Sequence, residues 1–187
     1  MKWIILVAII LVVVWLSKRS KPATFSPKLA QKKQDISNSE SKTYVTRQGQ
    51  SVEADDAFHA WTSGSLSEMV DALERKTNLV DRHFLIMSIV DQTYKNRSDT
   101  ENAELLRKVA ETHLAEFPKI KPALKKEMDG ILPRVTTFQK YATFLTDKGE
   151  YEKAIEVCEQ AIAHGLHDGT KSGFEGRIER IKKKMPA

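Results

Sequence analysis

Trp3 to Leu16 constrains this chain more than any other stretch, because its fourteen residues carry no charge and no polar group beyond two indole nitrogens. As a helix the run covers about 21 Å at 1.5 Å per residue, against a hydrocarbon core of about 30 Å. Including Met1 and Ser17, with Lys2 and Lys18 reaching toward headgroups and the bilayer thinning locally, closes that gap at modest cost. Trp3 and Trp15 bracket the run as interfacial aromatics do. A cleaved secretory signal would need a small-residue cleavage site. Ser17-Lys-Arg-Ser-Lys-Pro22 offers none, and no cysteine follows that could take a lipid. Residues 1–17 therefore read as a single transmembrane anchor. The alternative is a cleaved signal, which would make the remainder a secreted or periplasmic binding protein.

Charge placement sets the orientation. Six Lys or Arg side chains, from Lys18 to Lys33, precede the first acid, Asp35, whereas Lys2 alone lies before the run. The positive-inside rule then places the bulk of the chain in the cytoplasm of a bacterial-type inner membrane, with the N-terminus outside. The net charge of +5 belongs to the same cluster. Residues 1–33 hold seven of the 30 basic side chains and none of the 25 acids, which leaves 23 basic and 25 acidic for residues 34–187. A nucleic-acid-binding domain concentrates basic charge on its folded face, so no nucleic-acid partner is expected. The lone Cys158 cannot close an internal disulfide, in keeping with a reducing compartment.

Residues 18–51 are rich in Ser, Lys, Gln and Thr, with large apolar side chains only scattered. Such a segment cannot bury enough apolar area to offset its ordering entropy, and it reads as a flexible basic and polar linker. Residues 52–187 show helical periodicity throughout and no sustained strand alternation. Ala54 to Trp61 is a short helix candidate. Ser65-Leu-Ser-Glu68 matches a capping box that opens a helix to about Lys76, and Ser98-Asp-Thr-Glu101 matches a second. Between them, residues 79–96 form a central helix with Phe84, Met87, Ile89, Val90 and Tyr94 inward. Ala103, Leu106, Ala110, Leu114 and Phe117 make the next buried stripe, which Pro118 is expected to end. A further helix runs from about Pro122 to Met128 and stops at Gly130. Val135, Phe138, Tyr141, Ala142 and Leu145 form one stripe, Lys148-Gly149-Glu150 turns the chain, and Tyr151, Ala154, Cys158 and Ala161 form another. The last helix, 171–184, carries Phe174, Ile178 and Ile181.

Residues 135–168 resemble the tetratricopeptide repeat, a 34-residue helix–turn–helix unit. Phe138, Tyr141 and Ala142 stand at its first apolar and small positions, Gly149 and Tyr151 at the turn, and Ala154 and Ala161 at the small packing positions of the second helix. Gly149-Glu-Tyr-Glu-Lys-Ala154 is typical of the family. Cys158 replaces its usual aromatic, and His167-Asp-Gly169 stands where the closing proline belongs. Residues 81–118 look like a degenerate second unit. The resemblance implies an all-α fold, a short solenoid of helical hairpins ended by a capping helix. It also implies a groove, lined by first helices, that binds another protein or a peptide. The family's chaperone-binding type clamps a C-terminal carboxylate with lysines and asparagines. The matching positions here are Thr136, Gln139, Thr143 and Thr146, which depart from that set.

Chemistry-bearing motifs are sparse. Gly165 to Ser172 fails the phosphate-loop spacing and follows a helix, so it reads as a helix-to-helix turn. His164 and His167 with Asp168 could touch a metal, but a pair three apart in a loop without further ligands reads as solvated rather than as a metal site. His113 lies near an apolar stripe and reads as a packed, hydrogen-bonded histidine, while His59 and His83 have no evident partners. Cys158 sits at a core position and reads as an inert thiol. The expected function is that of a membrane-anchored scaffold, neither an enzyme nor a user of a metal or small-molecule cofactor. An enzyme or regulator whose site a single sequence does not display is the competing class. Intact mass of membrane-extracted protein is expected to show an unprocessed N-terminus, and a mature chain beginning near residue 17 to 25 would exclude the anchor.

Overall fold

Seven helices and one strand pair make up the computed structural model of this chain, which describes residues 42–186. The apolar run and linker residues 18–41 lie outside the described residues. Among the described residues, no helix is long and apolar enough to cross a membrane.

The strand pair is the first departure from the sequence reading, which carries the linker to residue 51. β1 (Tyr44–Arg47) and β2 (Gln50–Glu53) pair antiparallel, with Tyr44 opposite Glu53 and Arg47 opposite Gln50. Gln48 and Gly49 join them with φ of 52° and 79°. Positive φ at both central residues is the two-residue turn that matches strand twist. Four-residue strands with few apolar side chains are marginal alone. This pair is held from outside. Arg47 donates from Nε to Asp81 Oδ2 at 3.0 Å and from Nη2 to Asp81 Oδ1 at 2.6 Å. Its guanidinium also lies 5.5 Å from the centre of the Phe58 ring.

Helix starts follow side-chain caps. Asp55 accepts from Phe58 N and opens α1 (Asp56–Ser63); Ser65 accepts from Glu68 N and opens α2 (Leu66–Ala72). Asn78 accepts from Val80 N and Asp81 N at the start of α3 (Leu79–Lys95). The second capping box is displaced by one residue: Asp99, not Ser98, accepts from Asn102 N and opens α4 (Thr100–Glu127). A carboxylate at that position also complements the helix dipole.

α4 corrects the expectation that Pro118 ends a helix. It runs through both Pro118 and Pro122 to Glu127, merging two expected helices. The prolines are four residues apart and exposed, so the carbonyls they leave without an N–H, those of Leu114 and Pro118, lie on the solvent side. On the opposite side Phe117, Ile120 and Leu124 are fully buried and keep the axis in place. The helix does stop at Gly130, whose N–H donates to Lys125 O at 2.7 Å with φ of 90°.

α5 (Thr136–Asp147), α6 (Tyr151–Ala163) and α7 (Gly173–Lys182) follow the expected stripes. Phe138, Ala142, Ala154, Cys158 and Ala161 have no exposed area. α3 packs along α4, α5 along α6, and α6 along α7, while α3 also touches α1, α2 and α5. From residue 79 onward each helix thus packs on the next, and the described residues are mostly helical as the sequence implies. On α3 the buried stripe is rotated from the expected one. Val80, Leu85, Ile86, Ile89 and Val90 are fully buried, and Phe84, Met87 and Tyr94 only in part. Four elements besides α4 press on α3 or its ends, so its inner surface is wider than one stripe.

Arg47→Met should cost about 3–5 kcal/mol, the usual penalty for stranding a buried charge. Urea unfolding should show that adding Asp81→Asn recovers part of the loss. Equal stability of Arg47→Met and the parent chain would show that the hairpin is not held by this pair.

Candidate functional site

The four groove positions expected from the repeat resemblance share one face of α5, and most of their polar atoms are already engaged. Thr136 Oγ1 donates to Asp91 Oδ1 of α3 at 2.7 Å, and Lys140 also pairs with Asp91. Gln139 Oε1 accepts from Arg134 at 2.6 Å. Thr143 Oγ1 accepts from Arg177 Nη1 of α7 at 2.9 Å and donates to Gln139 O. Thr146 is buried and donates to Ala142 O of its own helix. Thr143 and Thr146 meet at a cavity of about 120 Å³ that Arg177, Arg180 and Ile181 line from the other side. This face is therefore a set of ties from α5 to α3 and α7.

A larger opening, about 330 Å³, lies between α4 and α6. Leu114, Ala115, Tyr141, Leu145 and Val157 give it an apolar lining, with Glu111, Lys153, Glu156 and Gln160 at its polar side. Tyr141 Oη donates to Glu111 Oε1 at 2.6 Å. Burial and that carboxylate both push the phenol well above its ordinary range. Sequence periodicity places Tyr141 in the buried stripe and so passes over the groove. The available signal was its hydroxyl, which a buried tyrosine must bring to a partner.

A second feature was legible only in part, since the sequence marks His113 as packed and hydrogen-bonded but not by what. His83 Nδ1 lies 3.0 Å from His113 Nε2, and His113 Nδ1 lies 2.7 Å from Thr137 Oγ1, all fully buried. His83 thus has a partner that sequence reading did not find, because the residues are thirty apart on different helices. Burial lowers the His83 pKa to about 4, and burial with the neighbouring His83 and Arg82 charges lowers that of His113 well below the ordinary value. Both rings are neutral at pH 7. If His83 donates to His113 and His113 to Thr137, the atom left without a partner, His83 Nε2, is an acceptor rather than a donor. That tautomer carries the smaller penalty. The relay ties α3, α4 and α5 together at depth.

The other residues singled out in the sequence are dispersed. His164 packs against Phe117, with ring centres 5.0 Å apart, while His167 Nδ1 accepts from Gly169 N. Asp168 accepts from Arg177 Nη2 at 3.0 Å and from Thr170. His59 stands edge-on to Phe58. No three His, Cys, Asp or Glu side chains among the described residues are grouped to hold a metal ion. Cys158 is buried and its thiol is pushed up to about 12 by that burial, as an unreactive core cysteine would be.

What this geometry defines is a mostly helical domain with a lined groove and a buried polar relay. No protein-family model, curated protein or solved structure matches the chain.

The relay has a pH consequence. An unfolded histidine titrates near 6.5, so between about pH 6.5 and pH 4 the unfolded chain binds protons that native His83 and His113 do not. Stability is whole above that window and falls as pH drops through it, by roughly 1.4 kcal/mol per pH unit for each proton. Urea midpoints measured across the window should decline, and His83→Leu with His113→Leu should flatten most of the decline. An unchanged slope in the double variant would place the acid sensitivity elsewhere.

Proposed function

We propose that this chain is a membrane-anchored adaptor of tetratricopeptide-like build, whose helical hairpins bind another protein or a peptide. The observation that carries the proposal is the groove between α4 and α6. It is open, largely apolar, bordered by Glu111 and Glu156, and set on helices whose own packing is complete. An apolar side chain of a partner could bury itself there against Leu114, Tyr141 and Val157 with no rearrangement of the core. The stacking of α3 with α4 and of α5 with α6, followed by α7, supports the repeat reading. The uncharged run from Trp3 to Leu16 supports the anchor. The Thr136, Gln139, Thr143 and Thr146 face is the weaker docking surface, because a ligand there would have to displace the bonds to Asp91, Arg134 and Arg177.

Site-specific photocrosslinking in the source cell tests this. A photoreactive residue replacing Ala115 in the full chain should yield a discrete protein adduct, and one replacing Thr143 should yield much less. Adducts at Thr143 alone would move the binding site to the inner face, and protein adducts at neither position would overturn the adaptor reading.

A further inference from the structure

We infer that the end of the domain formed by the α4 C-terminus and the loop into α5 docks on an anionic lipid surface. Residues 119–134 read Lys-Ile-Lys-Pro-Ala-Leu-Lys-Lys-Glu-Met-Asp-Gly-Ile-Leu-Pro-Arg, with five cations against Glu127 and Asp129. Ile120 and Leu124 point into the core, which leaves Lys119, Lys125 and Lys126 exposed and Lys121 partly so. None of these lysines has a carboxylate of the described residues within salt-bridge distance, and Arg134 donates only to Gln139 and to Asp168 O. Glu127, the acid in their midst, is turned to Arg47 at 3.7 Å and to Gln48 N, so its charge is already answered.

Beyond the lysines the chain presents apolar groups to solvent. Ile131 is 72 % exposed, the most open large apolar side chain among the described residues, and Met128 beside it is 36 % exposed. Cations around a projecting apolar tip match the two-part chemistry of a bilayer surface, with phosphate-bearing headgroups over acyl chain. RNA offers the same phosphates, but the segment has no aromatic side chain on which a base could stack, and RNA gives Ile131 nothing to enter. The hairpin turn at Gln48 meets this same end of α4 through Glu127, and Lys42 lies six residues before it, a reach of about 20 Å of strand. The anchor proposed above would bring the chain to a bilayer. The lipid contact is a separate property and does not need it.

The test uses the full chain carrying an environment-sensitive fluorophore on Ile131→Cys. Cys158 is buried and escapes labelling. A second labelled variant, Glu101→Cys, serves as control, since it lies in the first turn of α4, about 40 Å from Met128 along the helix. Each is mixed with or reconstituted into phosphatidylcholine vesicles, with or without phosphatidylserine as the anionic lipid. Emission from position 131 should rise several-fold and shift to the blue only with phosphatidylserine, and position 101 should stay unchanged. Lys121→Glu with Lys125→Glu and Lys126→Glu, all on the accessible side of α4, should return the signal at 131 to its phosphatidylcholine level. Equal signals in the two lipids, a matching response at 101, or a response to a homopolymeric RNA in place of vesicles would each overturn the proposal. Flotation with phosphatidylcholine vesicles alone reports the anchor, so a chain that fails to float there but responds at 131 to phosphatidylserine separates the two readings.

Discussion

α3 is almost surrounded by protein yet carries Asp81, His83 and Thr93 on its buried surface. Each buried polar group must find a hydrogen-bond partner or cost about 1–3 kcal/mol, more when charged. Those obligations organise the molecule. Thr93 answers its own by donating to Ile89 O. Asp81 gathers Arg47 from the hairpin, Trp61 from α1 and the cap residue Asn78. His83 reaches His113 on α4 and, through it, Thr137 on α5. Five elements are thereby joined through side chains of one helix.

The Asp81 carboxylate shows how the balance falls. At 1 % exposure, burial alone would push its pKa up, but the bonds from Arg47, Asn78 and Trp61 outweigh that and hold it below the ordinary carboxylate range. The site is charged and satisfied. A hairpin too short to be stable by itself is ordered as the carrier of Arg47. On the other side of α3, Arg82 grips Glu116 with two bonds of 2.9 and 2.8 Å, so α3 and α4 are fixed in register as well as packed.

With its buried polar groups spent on cohesion, the chemistry the domain leaves free lies at its surface. Three surfaces differ in kind. The α5 face toward α3 and α7 is polar but occupied by internal bonds. The α4–α6 groove is apolar and open. The α4 C-terminal end is cationic with an apolar tip. The last two lie on or beside α4, the long helix that continues past its prolines. Had it ended at Pro118, Lys121, Lys125 and Lys126 would not stand on one rigid element.

Sequence alone determined the helical class, the caps at Ser65 and near Ser98, the stripes of α5, α6 and α7, and the stop at Gly130, because these rest on contacts within a few residues. It also marked Cys158 and His113 as core. Tertiary structure decided what depends on distant partners. Tyr44 to Glu53 form strands because Arg47 meets Asp81, thirty-four residues away. α4 survives Pro118 because burial of Phe117, Ile120 and Leu124 outweighs two lost backbone bonds on a solvent face. His83 and His113 became a pair, and Thr136 and Thr143 came to bond Asp91 and Arg177, because α5 was laid against α3 and α7. No local pattern encodes that placement, which the summed burial of several helices sets.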